Sequence, residues 1–270
     1  MQRLLTAAVL VPLALLAVFQ LPSWAWLAIV LAVLVGAAIE FVRVARSWAP
    51  DAPLAGFPVL MVVASVALAY HEKGGPHGPA VVWAFAALVT LGFGSFALLA
   101  RTPPAQSLPA LGALAFGVPY FALPAAAIYR LHVRDPWLVI LLFAIVWLGD
   151  TAAYYVGSRF GRHKMAPVVS PKKSWEGAIA GLAVSLLATV AWALLRRPEV
   201  GWGELLVIAA ATAVAAQLAD LVESLLKRGA GIKDSGNLLP GHGGLLDRVD
   251  ALLFGAPVLL AGIWYFGGGW

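Results

Sequence analysis

A polar stretch near the end of the chain has the residue types that bind metals and phosphates. Residues 227–250 read KRGAGIKDSGNLLPGHGGLLDRVD and lie between two apolar segments. Carboxylate oxygens suit a hard divalent cation such as Mg²⁺, which commonly binds substrate phosphates as well. The cations would attract those phosphates, and the glycines would let the backbone approach a ligand closely. The stretch therefore predicts a metal-assisted phosphate site.

The helix that precedes this stretch supplies more carboxylates. Its polar residues follow the spacing i, i+3, i+4, i+7, so they share one helical face: Asp220, Glu223, Ser224 and Lys227. Asp247 and Asp250 are three residues apart at the start of the next apolar segment and would share a face in the same way. Carboxylates converging from two helix ends would hold the metal ion. A solvated helix end is the simpler interpretation for Glu223 and Lys227.

A second polar loop, residues 149–177, reads GDTAAYYVGSRFGRHKMAPVVSPKKSWEG. Asp150 lies within an apolar run, where an ionised carboxylate costs about 2.5–3.5 kcal/mol on insertion scales, so we expect it to face a polar cavity. The alternative is that it caps or hydrates a helix near the membrane surface. Ser174 is predicted to cap the following helix. Lys172 and Lys173 precede the positive end of that helix and should attract an anion, for which phosphate is the expected guest.

Several other kinds of site are excluded by residue type or spacing. The chain has no Cys, so it can form neither disulfides nor thiolate metal sites. It has no G-x-x-x-x-G-K-[ST] sequence, and HEKGGPH at residues 71–77 has the wrong spacing for a zinc-binding H-E-x-x-H helix. The formal net charge of +5 does not indicate nucleic-acid binding, because the cations lie in loops between hydrophobic runs.

The elements that position these residues are predicted to be membrane helices. Of the 270 residues, 62% are hydrophobic and 11% are charged, and the mean hydropathy is +0.90. Soluble domains are roughly 45–50% apolar and about 25% charged. Nine apolar segments are long enough to cross a bilayer: 4–21, 24–42, 54–71, 79–100, 107–130, 136–157, 175–195, 202–226 and 251–269. This pattern predicts an all-α, polytopic integral membrane helix bundle.

The first apolar segments raise two further points. Arg3 and the run after it imitate a secretory signal peptide, but an uncleaved first span is favoured because another long apolar run follows within a few residues. The short link at residues 21–23 predicts a tight helical hairpin.

In the fifth segment, helix-breaking residues predict kinks, which neighbouring helices can accommodate: Gly112, Gly117, Pro119 and Pro124.

The cations predict an orientation. With nine spans, the side that holds the N-terminus and both long polar loops carries thirteen of the eighteen Lys and Arg residues. The positive-inside rule places that side, and with it the site, in the cytoplasm. We expect one domain, residues 1–270, in which helices of 1–135 form a scaffold and those of 136–270 are catalytic. The cytoplasmic loops would be 158–174 and 227–250.

Residues 224–250 resemble a known family. At every fixed position they match S-x-hydrophobic-K-R-x4-K-D-x-G-x2-hydrophobic-P-x-H-G-G-hydrophobic-x-D-R-hydrophobic-D, the pattern of phosphatidate cytidylyltransferases (CDP-diacylglycerol synthases). The earlier loop is similar to the G-D-x-x-A-Y and S-P-x-K-[ST]-x-E-G sequences of that family. The likeness covers about residues 145–260. It departs at Ala219, where the family usually has Gly, and this affects local packing rather than chemistry.

The resemblance implies an inner-membrane, multi-pass enzyme that converts CTP and phosphatidate into CDP-diacylglycerol and diphosphate with Mg²⁺. The lipid phosphate would attack the α-phosphorus of CTP, while metal and cations neutralise charge on the departing diphosphate. Asp220 and Asp247 would hold the metal, with Asp250 and Glu223 next in line. Whether the protein forms a homodimer is left open, because small residues that suit helix interfaces occur in every segment and single out no dimer face.

The resemblance also implies residues that bind the substrates. Five cations would bind CTP phosphates or the phosphatidate headgroup: Lys172, Lys173, Lys227, Arg228 and Lys233. Arg248 would add to this charge, Ser174 and Ser224 would donate hydrogen bonds to phosphate, and Asp150 would orient a cation or the nucleoside. His242 would arrange the glycine loop, with proton transfer as the alternative. The catalytic group would comprise Asp220, Asp247, Lys227, Lys233 and His242.

Two rival functions stay open at this point. A CTP-dependent polyprenol or phytol kinase shares the membrane setting and the nucleotide, but there a lipid hydroxyl attacks the γ-phosphorus and CDP is the product. An ion-coupled transporter would use Asp150 and Asp220 to carry cations, although transporter sites usually lie near the bilayer midplane. CDP-alcohol phosphotransferases are excluded, because their D-G-x2-A-R sequence is absent.

Overall fold

The computed structural model describes residues 12–70, 102–196, 200–236 and 243–266. Within them, seven helices follow one another along the chain: α1 (Ser23–Ala45), α2 (Phe57–Tyr70), α3 (Pro104–Arg134), α4 (Pro136–Phe160), α5 (Trp175–Arg196), α6 (Trp202–Gly229) and α7 (Leu246–Phe266). Residues 12–20 are also helical, and a 3₁₀ turn, Leu54–Gly56, leads into α2.

Six of these helices are long and apolar enough to cross a membrane, all except α2. This confirms the prediction of a helical, multi-span membrane protein. Seven of the nine predicted spans are present as helices, with ends that differ by a few residues. The predicted span 4–21 is described only from residue 12 onward, and the span 79–100 lies outside the described residues. The total of nine spans therefore stays a prediction.

Prolines mark several helix boundaries. Pro22 separates the helical residues 12–20 from α1, as the predicted hairpin requires. Pro136 is the first residue of α4, where its missing N–H costs no hydrogen bond. The preceding Asp135 caps that helix, because its carboxylate accepts a hydrogen bond from Trp137 N at 2.9 Å. By contrast, α3 continues through three internal prolines and spans 31 residues: Pro109, Pro119 and Pro124.

A short antiparallel hairpin is the one element that the all-α prediction misses in the described part of the chain. Its strands are β1 (Lys164–Ala166) and β2 (Ser170–Ser174), with Lys164 paired to Ser174. Strands of three and five residues are too short to produce a recognisable alternation of polar and apolar side chains. Trp175 N donates a hydrogen bond to His163 O at 2.9 Å, so β2 runs directly into α5.

Helices α4 and α5 pack closely along a seam of small residues. Each helix presents three of them at intervals of four: Gly149, Ala153 and Gly157 on α4, and Gly177, Gly181 and Ser185 on α5. A Cβ atom added at Gly181 would lie 2.9 Å from the Gly149 carbonyl oxygen, and one at Gly177 would lie 2.7 Å from the Ala153 carbonyl oxygen. Small residues at this spacing let membrane helices approach to backbone contact.

A π-helical turn, Ala144–Leu148, interrupts α4 just before this seam. Such turns are rare in helices, and many of those that do occur lie at functional sites. The Ser185 hydroxyl donates a hydrogen bond to the Ile145 carbonyl at 2.7 Å, which satisfies an acceptor within the irregular turn. The turn therefore lies one residue before Gly149 and two before Asp150, at the point where α4 turns from an apolar helix into a polar one.

Both polar loops lie at the same end of the bundle. The end of α4 and the start of α5 flank the β-hairpin, while the end of α6 and the start of α7 flank the other loop. The two loops meet where Arg228 Nε donates to Val169 O at 3.4 Å. Below them, an aromatic core of α1, α2 and α3 surrounds the fully buried Phe41, Phe57 and Phe121.

Candidate active site

A cavity of about 620 Å³ opens between the β-hairpin and helices α4, α5, α6 and α7. Its lining combines acids, cations and small residues: Asp150, Ala153, Tyr154, Gly157, Ser158, Gly161, Lys164, Met165, Pro171, Lys172, Lys173, Ser174, Gly177, Ala178, Gln217, Asp220, Asp247 and Asp250. Seven of the residues that the sequence predicts for the site are among them. The two polar loops therefore contribute to one cavity, as the sequence predicts.

Three carboxylates converge at the α6–α7 side of the cavity. Asp220, Glu223 and Asp250 each offer one oxygen, and these oxygens all lie within 4.8 Å of one another. Among the described residues, no donor reaches Glu223 Oε1, although this atom is buried. An unpartnered buried carboxylate oxygen costs free energy, and a cation bound to it would remove that cost. A set of oxygen ligands with a spare buried oxygen fits a hard divalent cation such as Mg²⁺.

The structure resolves the alternatives for Glu223 and Lys227. Glu223 is 1% exposed, so the interpretation of a solvated helix end is wrong for it. Lys227 Nζ lies 2.7 Å from Glu223 Oε2 and 2.5 Å from Asp247 Oδ1, and its side chain is only 13% exposed. This lysine therefore balances two carboxylates within the protein and does not line the cavity.

Asp247 lies outside the group of three carboxylates, although the sequence predicts it as a metal ligand beside Asp220. Protein donors occupy both of its oxygens. Oδ1 binds Lys227, and Oδ2 accepts hydrogen bonds from Gly244 N at 2.7 Å and from Ser235 N at 3.1 Å. Asp250, one turn further along α7 and also predicted as a metal ligand, contributes an oxygen to that group. The spacing of three residues placed both acids on one face, but it did not show which one the loop would engage.

The cationic side of the cavity belongs to the hairpin. Lys173 Nζ lies 2.6 Å from Asp220 Oδ2 and donates a hydrogen bond to Gln217 O at 3.3 Å. Lys172 and Lys164 line the cavity with exposed side chains, and within the described part of the chain neither has an acidic partner. Cations of this kind are available to an anionic ligand, so the cavity offers positive charge opposite its carboxylates.

Ser174 caps α5, as the sequence predicts. Its hydroxyl oxygen accepts a hydrogen bond from Gly177 N at 3.2 Å, and the residue is buried. A Cβ atom at Gly157 would lie 3.2 Å from this oxygen, and one at Gly161 would lie 2.8 Å from Ser174 Cβ. The glycines of α4 therefore let the hairpin and the start of α5 approach the cavity wall. At the same corner, His163 Nδ1 lies 2.6 Å from Glu176 Oε1.

The other predicted residues lie around the cavity rather than in it. Ser224 Oγ donates to Asp220 Oδ1 over 3.4 Å, a long contact that touches the carboxylate group. Lys233, Arg228 and Arg248 are exposed on the loop side and are not part of the lining. His242 lies outside the described residues.

Glu40 is a residue of this region that the sequence analysis misses. It lies on α1, is 2% exposed, and accepts hydrogen bonds through Oε2 from Ser235 Oγ and Leu246 N, both at 2.9 Å. The sequence could have indicated Glu40, because this residue lies within the apolar segment 24–42. An isolated carboxylate in a membrane segment is costly, and the same reasoning identified Asp150.

Comparisons with known proteins identify the family of this chain. A model of the cytidylyltransferase family matches residues 1–266. Curated relatives named phosphatidate cytidylyltransferase include one from Brucella suis biovar 1, 41% identical over 178 residues that cover 64% of each chain. One from Haemophilus influenzae is 36% identical over 184 residues, which cover 65% of this chain and 63% of the relative. One from Staphylococcus saprophyticus is 44% identical over 133 residues, 48% of this chain and 51% of the relative.

The matched region thus spans a little under two thirds of the length of the first of these relatives. The family match is broader and covers nearly all 270 residues, including α1 with Glu40 and every helix that contributes to the cavity. On this match, the chain belongs to the cytidylyltransferase family.

Proposed function

We propose that the protein transfers CMP from CTP to phosphatidate, giving CDP-diacylglycerol and diphosphate. The observation that carries the proposal is a single cavity at one end of a membrane helix bundle, lined by Asp220 and Asp250 of the three-carboxylate group and by lysines of the β-hairpin. The names of the curated relatives supply the substrates. Such a cavity lets a lipid reactant stay in the leaflet while a water-soluble nucleotide arrives from the aqueous side.

The proposed reaction is a balanced displacement at phosphorus. An oxygen of the phosphatidate phosphate forms a bond to the α-phosphorus of CTP, and the bond between that phosphorus and the β-phosphate oxygen breaks. The attacking phosphate is already anionic, so no base has to remove a proton. Acceleration of such a transfer comes from positioning and from neutralising charge. This explains why the cavity needs fixed charges rather than a nucleophilic side chain.

The carboxylates Asp220, Glu223 and Asp250 would hold Mg²⁺. When bound there, the metal would supply positive charge to the phosphates. Lys172 and Lys173 would bind phosphate oxygens from the opposite side of the cavity, and the ion pair between Lys173 and Asp220 would keep both groups oriented before substrates arrive. Asp150 would contact the nucleoside or a cation from α4.

The location of the enzyme is part of the proposal. We infer nine spans, a cytoplasmic N-terminus and an active site that opens to the cytoplasm from the inner membrane. Two features support this orientation: the excess of cations on the side of the polar loops, and the meeting of both loops at one end of the bundle. For the oligomeric state we propose two alternatives, a monomer and a homodimer. Light scattering from detergent-purified protein would distinguish them.

The test is product analysis with purified protein in mixed micelles of detergent and phosphatidate. We expect diphosphate release that requires CTP, phosphatidate and Mg²⁺ together. CTP labelled at the α-phosphate should pass its label to the lipid, whereas label at the γ-phosphate should appear in diphosphate. Transfer of the γ-label to a lipid would instead indicate a kinase. Cation transport without CTP-dependent chemistry would indicate a transporter.

A further inference from the structure

Glu40 and the loop between α6 and α7 form a buried contact that no feature of the reaction explains directly. Glu40 belongs to α1, in the part of the chain predicted to be scaffold, yet its carboxylate binds Ser235 within that loop and Leu246 where α7 begins. Among the described residues, no cationic side chain pairs with it, and its Oε1 atom is buried without a hydrogen-bond partner. Burying a carboxyl oxygen without a partner costs free energy, so the contacts that Glu40 does make call for a role.

The contacts of Glu40 lead to the carboxylates of the cavity. The Ser235 hydroxyl lies 2.9 Å from Glu40 Oε2 and 3.1 Å from Asp247 Oδ2, and it can donate its one proton to either. Asp247 binds Lys227 through its other oxygen, and Lys227 binds Glu223. A continuous series of polar contacts therefore runs from α1 to one of the three carboxylates that would hold the metal.

Glu40 also fixes the start of α7. The Leu246 N–H that it accepts belongs to the first residue of that helix, where backbone N–H groups have no partner within the helix. A carboxylate at a helix N-terminus is favoured by the helix dipole as well. Because Asp250 lies four residues further along α7, the position of this helix start sets the position of Asp250 in the cavity.

Two glycines of the loop make room for the Glu40 carboxylate. A Cβ atom added at Gly236 would lie 2.8 Å from Glu40 Cδ, and one at Gly244 would lie equally close to the same atom. The sequence predicts that such glycines let the backbone approach a ligand closely. At Gly236 and Gly244 the space is filled instead by the side chain of Glu40 from α1, so the loop is shaped around Glu40.

We propose that Glu40 is a positioning residue of the active site, which holds Ser235 and the start of α7 so that Asp247, Lys227 and the carboxylates of the cavity keep their places. This inference rests on the proposed transferase function and goes beyond it. Glu40 touches neither substrate nor metal; it acts through Ser235 and Leu246. A second contact of α1 supports the same role, because Trp48 Nε1 donates to Gly229 O at the end of α6, at 3.1 Å.

The test is a double-mutant cycle on purified protein whose wild-type transferase activity has been measured first. If wild type released no diphosphate, the proposed function would fail, and that outcome is separate from the cycle. Glu40→Ala should lower kcat by roughly 10- to 100-fold, the range for residues that hold metal ligands in position through hydrogen bonds, while KM for CTP changes by less than about threefold. Ser235→Ala should lower kcat to a similar extent, and the double variant little further, because both remove one series of contacts.

Rescue and matched controls separate positioning from general stability. Glu40→Gln keeps an oxygen that can accept both hydrogen bonds, so it should retain most of kcat. Ser65→Ala removes another buried serine, whose hydroxyl bonds only Met61, one turn earlier on α2, and its effect on kcat should multiply with that of Glu40→Ala. Gly236→Ala would displace the Glu40 carboxylate and should lower kcat, so it replaces Glu40→Ala as the test variant if Glu40→Ala does not fold. Gly112→Ala is its control: no atom lies within 4 Å of the added carbon, so kcat should not change.

Three results would overturn the proposal. One is a kcat for Glu40→Ala within about twofold of wild type. Another is a double variant whose loss equals the product of the single losses, which would mean that Glu40 and Ser235 act independently. The third is a Glu40→Gln variant as slow as Glu40→Ala, since this would show that the two hydrogen bonds are not what matters.

Discussion

Two groups of carboxylates lie side by side at the polar end of this protein, and their partners differ. Asp247 and Glu40 accept hydrogen bonds from the loop and from the start of α7, and Asp247 also binds a lysine. Asp220, Glu223 and Asp250 instead bring oxygens within 4.8 Å of one another, and Glu223 keeps one buried oxygen without a partner. The three clustered carboxylates have the geometry to bind a cation, whereas Asp247 and Glu40 hold the loop and the start of α7.

The largest effects should come from the group of three clustered carboxylates. Asp250→Asn should lower kcat by more than about 100-fold, on the scale of losing an electrostatic contact to the reacting phosphates, and should raise the Mg²⁺ concentration needed for half-maximal diphosphate release. Asp247→Asn should cost about 10- to 100-fold in kcat, because it disturbs the loop and Lys227, and should leave the Mg²⁺ requirement unchanged. Magnesium titrations of both variants check this order. If the two titrations were reversed, Asp247 would be the metal ligand.

Two lysines that pair with the carboxylates, Lys227 and Lys173, should separate stability from substrate binding. Lys227→Met leaves Glu223 and Asp247 without their shared cation, and breaking a buried ion pair costs about 3–5 kcal/mol. Lys173→Met should cost about 1 kcal/mol or less in stability, because its ion pair is partly exposed, but it should raise KM for CTP. Thermal unfolding in detergent and CTP titrations measure the two effects. Equal losses of stability would contradict the distinction.

A smaller effect should follow from closing the seam between α4 and α5. Gly181→Ala places a carbon 2.9 Å from Gly149 O and 3.2 Å from Ala153 Cβ, so the helices must separate at a cost of about 1–3 kcal/mol. The expected result is a lower unfolding temperature together with lower activity, because α4 carries Asp150 and α5 carries Ser174. Gly203→Ala, whose added carbon meets nothing within 4 Å, is the matched control. An unchanged unfolding temperature for Gly181→Ala would mean that the seam is loose.

The smallest effect should lie at the opposite end of the bundle. Asp135→Ala removes the cap of α4 and the 3.3 Å contact with Arg196, which together amount to about 1 kcal/mol. Diphosphate release should be unchanged, since both residues are far along the helices from the cavity. A loss of activity without a loss of stability would show that the two ends of the bundle are coupled.

The sequence predicted the helices better than it predicted the contacts between them. Long apolar runs identify membrane spans because every backbone group must be satisfied within the helix, and seven of the predicted spans are helices in the described residues. The convergence of Asp220, Glu223 and Asp250 also followed from helical spacing. Spacing did not reveal that Glu40 reaches the loop, because a contact between residues 40 and 235 depends on how distant helices pack.

The partners of Asp247 could not be predicted from the sequence for a related reason. Its backbone position was predicted, but its partners come from the loop at Ser235 and Gly244, whose conformation no periodic pattern describes. The β-hairpin was missed because its strands are too short to show a period. In both cases the information lies in irregular backbone, where a single sequence gives the weakest signal.

The π turn in α4 has a consequence for how this helix can vary. A wider turn accommodates one residue more than regular α-helix, so it absorbs that residue and the polar half of α4 keeps its angular position relative to the buried apolar half. Deleting one residue from 144–148 should therefore restore regular α-helix there and leave Asp150 and the small residues of the seam facing the same neighbours. A relative without this turn is expected to be one residue shorter at this point and to keep the same angular phase.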